Sequence, residues 1–321
     1  MNINLPTKIS LLAGPTPLEP LKRIGAITGH PNIFVKRDDV MPLGMAGNKV
    51  RSLEFWMAEA LQQGADTVLV AGQCVSNQCR LTAAAAAKIG LNCVILHNDA
   101  QPARIEGNLL LSTLFGAEII FLGPVSEQER ADKVTQKADD LQKQGKKPYI
   151  IGDPVLGAMG YVVAAQELLL QTPKEIGSFD CIVIPGSMGP TEAGLLYGLI
   201  ASGYPGQVYV ISVEYQKQEM QQRIEHIFNR LEQKLGKTLQ NPDSIAIFDD
   251  RFLGNGYGIA SAASNAATQV FATTEALLLE PTYTAKPFAA LLAMVADQTI
   301  KPTESVCILH TGGTPSLFAN R

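Results

Sequence analysis

Short apolar runs alternate along this chain with longer segments of helical character, and no other feature narrows its fold as far. The runs at 67–71, 93–97, 118–122, 149–151, 181–185, 208–213 and 306–310 are rich in Val, Ile and Leu, the form of a strand buried on both faces. Segments 52–63, 77–89, 104–115, 127–143, 161–170, 191–201 and 216–235 lie between them and carry apolar residues at helical spacing or strong helix formers. Alternation of this kind predicts an α/β fold of open, twisted, mostly parallel sheets flanked by helices. At 321 residues the chain is long enough for two domains, and a hydrophobic content of 46% supplies a sizeable core. A compact series runs from Phe55 to Tyr149 and closes at Gly152-Asp153-Pro154-Val155-Leu156-Gly157, which reads as a hinge. The expected organisation is a smaller α/β domain, 52–157, inserted in a larger one formed by 1–51 and 158–321.

Charge and cysteine usage limit the partners. The net charge is −4, and no Lys/Arg cluster is interleaved with aromatics, which argues against nucleic acid and for small molecules. No apolar run approaches the roughly 20 residues that span a bilayer, and the start of the chain lacks a charged region followed by an apolar stretch, so a cytoplasmic protein away from membranes is expected. The five cysteines, Cys74, Cys79, Cys93, Cys181 and Cys307, form no CxxC pair, and no metal site is expected. Three of them, Cys93, Cys181 and Cys307, sit in strand-like runs as small buried hydrophobes.

Three loops carry chemistry. The first leads from the strand-like Ile33-Phe34-Val35-Lys36-Arg37-Asp38-Asp39 to Lys49, at the mouth of a helix within Gly47-Asn48-Lys49-Val50-Arg51, a setting that suits a reactive amine. The second is Pro185-Gly186-Ser187-Met188-Gly189-Pro190-Thr191-Glu192, where a buried strand feeds a Gly/Ser loop that opens a helix. Free N–H groups and the helix dipole make this order a phosphate site; the competing reading is a plain strand-to-helix turn. Glu214 ends the next strand, as an acidic residue does in dinucleotide folds, but Gly186, Gly189 and Gly194 do not fit GxGxxG, and a nicotinamide dehydrogenase would leave Lys49 unused. The third loop, Gly72-Gln73-Cys74-Val75-Ser76-Asn77-Gln78-Cys79-Arg80, puts Ser76 and Asn77 where side chains either cap a helix or meet a substrate carboxylate.

Taken together with Gly14-Pro15-Thr16-Pro17-Leu18 and His310-Thr311-Gly312-Gly313-Thr314-Pro315, these motifs resemble the fold-type II enzymes that use pyridoxal 5′-phosphate, in the group of D-cysteine desulfhydrase and 1-aminocyclopropane-1-carboxylate deaminase. The likeness covers nearly the whole chain. It implies that Lys49 forms the Schiff base with the cofactor aldehyde and later takes the substrate's Cα proton, a double role open to a neutral amine near pH 7. It also implies that Asn77 bonds the cofactor's phenolic oxygen, that Ser76 and Gln78 meet the substrate carboxylate, with Asn77 beside it, and that Ser187, Met188, Gly189 and Thr191 hold the phosphate. Thr311 would face the pyridine nitrogen, making the cofactor a moderate electron sink, sufficient to expel a thiolate. In the deaminases a tyrosine and a glutamate match Tyr283-Thr284; Thr284 in place of that glutamate favours β-elimination over ring opening. Tyr283, a catalytic candidate with Lys49 and Ser76, and Tyr257 would contact the substrate, or else be buried rings with satisfied hydroxyls.

Two positions depart from the desulfhydrase pattern: Gln78 matches the deaminase form, and Pro190 stands where a phosphate-loop glycine is common and has no N–H to donate. The expected activity is α,β-elimination from D-cysteine. Alternatives are the deaminase reaction giving 2-oxobutyrate and ammonia, elimination from L-cysteine, cysteate or chloroalanine, and a fold kept for binding amino acids without turnover. The resemblance implies a homodimer.

Overall fold

The computed structural model describes residues 3–319. The first half of the chain runs β1 (Leu18–Pro20), α1 (Lys22–Thr28), β2 (Ile33–Arg37), α2 (Lys49–Gln62), β3 (Thr67–Gly72), α3 (Asn77–Ile89), β4 (Asn92–His97), α4 (Gly107–Leu114), β5 (Glu118–Phe121) and α5 (Glu127–Lys143). The second runs β6 (Pro148–Ile150), α6 (Pro154–Gln171), β7 (Cys181–Gly186), α7 (Pro190–Ala201), β8 (Gln207–Ser212), α8 (Lys217–Leu235), β9 (Ala246–Asp249), α9 (Ala262–Glu275), α10 (Ala285–Ala296) and β10 (Val306–His310). No helix of the described residues is long and apolar enough to cross a membrane.

Two compact units divide the chain. The first, built mainly on Gly14–Val40 and Ala158–Thr314, carries a six-stranded sheet in the order β1-β2-β10-β7-β8-β9. All its neighbours are parallel except the short edge strand β1, which runs antiparallel to β2. Its core joins Val183, Ile211 and Ile308 of the sheet to Phe271 of α9 and Phe288 of α10, whose rings meet edge to face at 4.7 Å. A phenylalanine buried this fully contributes roughly 1.5–3 kcal/mol. The pairing of Gly186 with Ser212 brings β7 and β8 to an end together, and the Val213 N–H donates to Gly186 O, so Ser187 emerges beside Glu214.

The second unit, built mainly on Pro6–Ala13, Met41–Gly157 and the segment that begins at Pro315, carries a parallel sheet in the order β5-β4-β3-β6. Leu69, Val94 and Leu96 cover one face of this sheet against Val134, Ala138 and Leu141 of α5. Helix α5 starts with a capping box between Ser126 and Glu129, satisfying two backbone N–H groups at once. The α/β class with mostly parallel sheets is thus as expected.

One sequence reading is corrected. Segment 152–157, expected to be an irregular loop, already contains the first turn of α6: Pro154 is its first residue, where the missing N–H costs nothing, and Asp153 Oδ1 accepts the Leu156 N–H at 2.7 Å. Gly157 is there for space, since a Cβ at that position would come within 2.3 Å of Cζ2 of the buried Trp56 indole.

Candidate active site

In the second unit, Lys49 is the first residue of α2, half buried, and reaches that place through an unusual backbone. Gly44, Met45, Ala46 and Gly47 all have positive φ, at 54°, 62°, 62° and 132°. Ala46, with ψ 172°, occupies a region otherwise left to glycine, at a cost of about 1–3 kcal/mol that the surroundings must offset. The loop is seated on α3, because a Cβ at Gly44 would meet the Ala84 Cβ at 2.7 Å.

Helix α3 presents the next residues. Ser76 is its N-cap, with Oγ accepting the Cys79 N–H at 3.3 Å, so the capping role read from sequence is present. Asn77 is buried, and its Oδ1 accepts from Asn108 Nδ2 at 3.1 Å and Arg80 Nη2 at 3.3 Å. Those two bonds fix the amide orientation, with the NH2 end turned away from them. Gln78 follows, half buried. Neither Arg80 nor Asn108 carries a local sequence signal of this role, since most of their contacts are distant in the chain.

In the first unit, β7 delivers Ser187, Met188 and Gly189 to α7. Gly189, at φ 103°, is the N-cap and supplies no side-chain cap, while Pro190 is the first helical residue. A Cβ at Gly186 would meet Met220 Sδ at 2.4 Å, and one at Gly189 would meet Ile227 Cδ1 at 2.9 Å, so the loop is tightly backed by α8. Thr191 is buried in the first turn, and Met188 is exposed. The Ser187 N–H donates to Glu192 Oε1 and its hydroxyl to Glu214 Oε2, each at 2.5 Å. Glu214, the acid of the dinucleotide reading, is therefore a partner of the loop serine.

Tyr257 and Tyr283 are brought together: their hydroxyls share a short hydrogen bond and their rings meet nearly perpendicular at 5.6 Å. Burial first, and then Tyr257, holds the Tyr283 hydroxyl well above the ordinary tyrosine range, so it keeps its proton. The turn carrying Tyr283 is built on the buried carboxylate of Glu280, which accepts the N–H groups of Thr282, Tyr283 and Thr284 at 2.7–2.9 Å. Thr284 is itself fully buried, with its hydroxyl accepting the Glu280 N–H at 2.8 Å, so it shapes this turn. Lys286 Nζ donates to the carbonyls of Leu253 and Gly256 at 2.8 and 2.7 Å, tying the Tyr257 loop to α10. Neither Glu280 nor Lys286 was singled out from sequence. Thr311, 5% exposed, follows β10 directly. Beside it His310 accepts the Gly312 N–H on Nδ1 at 3.2 Å and donates from Nε2 to Leu278 O at 3.1 Å, which makes it the neutral Nε2–H tautomer.

The thiols are quiet. Burial pushes those of Cys93, Cys181 and Cys307 up to about 12, so they persist as small apolar groups.

Residues 9–312 match the model of the family described as pyridoxal-phosphate dependent enzyme. The chain belongs to the pyridoxal-phosphate dependent enzymes. Among its relatives in this family, the D-cysteine desulfhydrase of Yersinia enterocolitica is 36% identical over 320 residues, covering 97% of this chain and 95% of that protein. The D-cysteine desulfhydrase of Salmonella choleraesuis matches to the same extent. A crystal structure of an ACC deaminase homologue superposes with a TM-score of 0.89 at 28% identity, covering 98% of this chain and 94% of the other.

The residues present fit the cofactor of this family. The N-terminus of α7 has no side-chain cap, an arrangement that suits a phosphate. Asn77 has its amide oxygen held by Arg80 and Asn108, which leaves its NH2 as the donor, and Lys49 supplies an amine at a helix start. Against an anion there stand the two carboxylates on Ser187 and the first helical residue Pro190, which has no N–H to donate.

Proposed function

We propose that this chain is a lyase that eliminates hydrogen sulfide from D-cysteine, the remainder adding water to give pyruvate and ammonia. The observation that carries this reading is the 36% identity to D-cysteine desulfhydrases over 97% of the chain. The cofactor, when bound, supplies an electron sink for the bonding pair left when the Cα proton departs. Lys49 would hold the cofactor's aldehyde carbon, and its Nζ would take the Cα proton of the substrate. Ser76 and Gln78, with Asn77 beside them, hold the substrate carboxylate at the start of α3, where the helix dipole favours an anion. The Asn77 amide would donate to the cofactor's phenolic oxygen, Thr311 would face the pyridine nitrogen, and Ser187, Met188, Gly189 and Thr191 would hold the phosphate. Tyr283, which keeps its proton, donates a hydrogen bond to the departing sulfur, with Tyr257 orienting it. The reading includes a cytoplasmic homodimer, as the family resemblance implies, and a smaller domain, 52–157, inserted in the larger one.

Gln78 supports a second reading, the deaminase reaction on 1-aminocyclopropane-1-carboxylate, as does the likeness to an ACC deaminase homologue. Purified protein loaded with pyridoxal phosphate decides between them. Sulfide and pyruvate from D-cysteine, lost by several orders of magnitude in Lys49→Ala, are expected. Release of 2-oxobutyrate from the cyclopropane substrate without sulfide from D-cysteine would reverse the order of the two readings.

A further inference from the structure

Arg80 is fully buried, and none of its hydrogen-bond partners among the described residues is a carboxylate. Its Nη1 donates to Gly44 O, its Nη2 to Ala46 O at 2.9 Å and Asn77 Oδ1 at 3.3 Å, and its Nε to Asn108 Oδ1 at 2.7 Å. A buried guanidinium held by neutral acceptors alone is costly, and an apolar residue of similar volume would be the cheaper filling. Burial lowers its pKa only to about 10, so the charge persists at neutral pH. Two of its acceptors are carbonyls of the backbone run that leads to Lys49, including that of Ala46 in its glycine-type conformation.

We propose that Arg80 is a positioning residue for the cofactor: one planar guanidinium locks both the strained 44–47 loop ahead of Lys49 and the amide of Asn77. This deepens the functional reading above and rests on it, because it takes Lys49 and Asn77 as the residues that meet the cofactor. The fork geometry matters. A lysine offers a point charge at one place, whereas the guanidinium reaches the loop carbonyls and the Asn77 oxygen simultaneously. Donation from a charged group to Oδ1 also polarises the Asn77 amide and strengthens its NH2 as a donor to the cofactor's phenolic oxygen. Asn108 completes the hold, its Nδ2 donating to Asn77 Oδ1 at 3.1 Å and to Val75 O at 2.7 Å. A conformation open to glycine but occupied by alanine persists only where neighbours enforce it, and Arg80 is such a neighbour.

The experiment is a titration of cofactor-free protein with pyridoxal phosphate, followed by the near-visible band and its pH midpoint, for the native chain, Asn77→Ala, Arg80→Gln and the double variant. Arg80→Gln is expected to weaken binding by about tenfold or more and to move the pH midpoint of the band, as loss of a charge-assisted bond implies. In the Asn77→Ala background the same change is expected to cost less than about threefold, because the two act in one network. Replacement of Ala46 by Gly in the Arg80→Gln protein is expected to recover part of the loss by removing the strain that Arg80 opposes. Losses that multiply as independent factors, or an unmoved pH midpoint, would overturn the proposal while leaving the role of Asn77 intact. Native-like binding by Asn77→Ala would overturn the site reading, and this inference with it. If Arg80→Gln does not fold, Asn108→Ala serves in its place: it leaves the guanidinium and removes the second donor to Asn77, and a several-fold, non-additive loss supports the proposal where an additive one sinks it.

Discussion

At the scale of single residues, the loop proposed to hold the phosphate carries two acids on its serine. Ser187 gives its N–H to Glu192 and its hydroxyl to Glu214, the two donors a phosphate would otherwise take. Like charges brought close together at a partly buried site oppose one another. Glu214→Gln is therefore expected to tighten pyridoxal phosphate binding by about three- to tenfold, measured by quenching of protein fluorescence on titration. Weaker binding would mean that the carboxylate orients the serine hydroxyl toward the phosphate instead of competing with it. The sequence made part of this chemistry readable. Lys49, Ser76, Asn77 and the Ser187 loop carry local signals, small residues and helix starts, whereas the Arg80 fork and the Lys286 tie join positions tens of residues apart and leave no pattern in any short window.

Elements were legible in proportion to how strongly burial shaped their composition. Strands β3, β4, β7, β8 and β10 are central in their sheets and read as continuous apolar runs, so their places were found to within a residue. The three-residue edge strand β1 and the polar-edged β9 gave no such run, and α10, with Ala285, Phe288, Leu291 and Met294 all buried, is too uniformly apolar for a helical period to show. The sequence signal of helix α6 begins only at residue 161, because proline and glycine at its start imitate a loop. The glycines of α7 then turn out to set packing distance: a Cβ at Gly194 would lie 2.0 Å from Ala158 O of α6, and one at Gly198 would lie 2.5 Å from the Ala165 Cβ. The first obstacle is backbone and cannot rotate away. Gly194→Ala is expected to destabilise the fold by at least about 2 kcal/mol, read from the urea midpoint, and to weaken cofactor binding by displacing the first turn of α7. A midpoint within error of the native one would show that α6 and α7 can part without loss.

Across the whole molecule, the charges that burial has suppressed set how stability responds to pH. His97 in the second unit donates from Nδ1 to Gly72 O at 2.8 Å, while its buried Nε2 has no partner among the described residues. In the first unit His310 is fully buried, with both ring nitrogens engaged as a neutral imidazole. Desolvation is the leading cause in both cases and holds each pKa below the ordinary histidine value. The unfolded chain therefore binds protons at these positions more readily than the folded one, and stability must rise with pH across the interval between the two values. From above neutrality nothing changes until pH drops below about 6.5, where unfolded histidine begins to charge; the loss then grows until pH passes through the depressed folded values. Each tenfold weakening of proton affinity is worth about 1.4 kcal/mol. The urea midpoint of the native protein is expected to fall between pH 7.5 and pH 5.5, and to fall less in the double variant His97→Gln, His310→Gln, although that variant starts from a lower stability at pH 7.5. An equal drop in both proteins would assign the acid sensitivity to carboxylates and remove the two buried imidazoles from it.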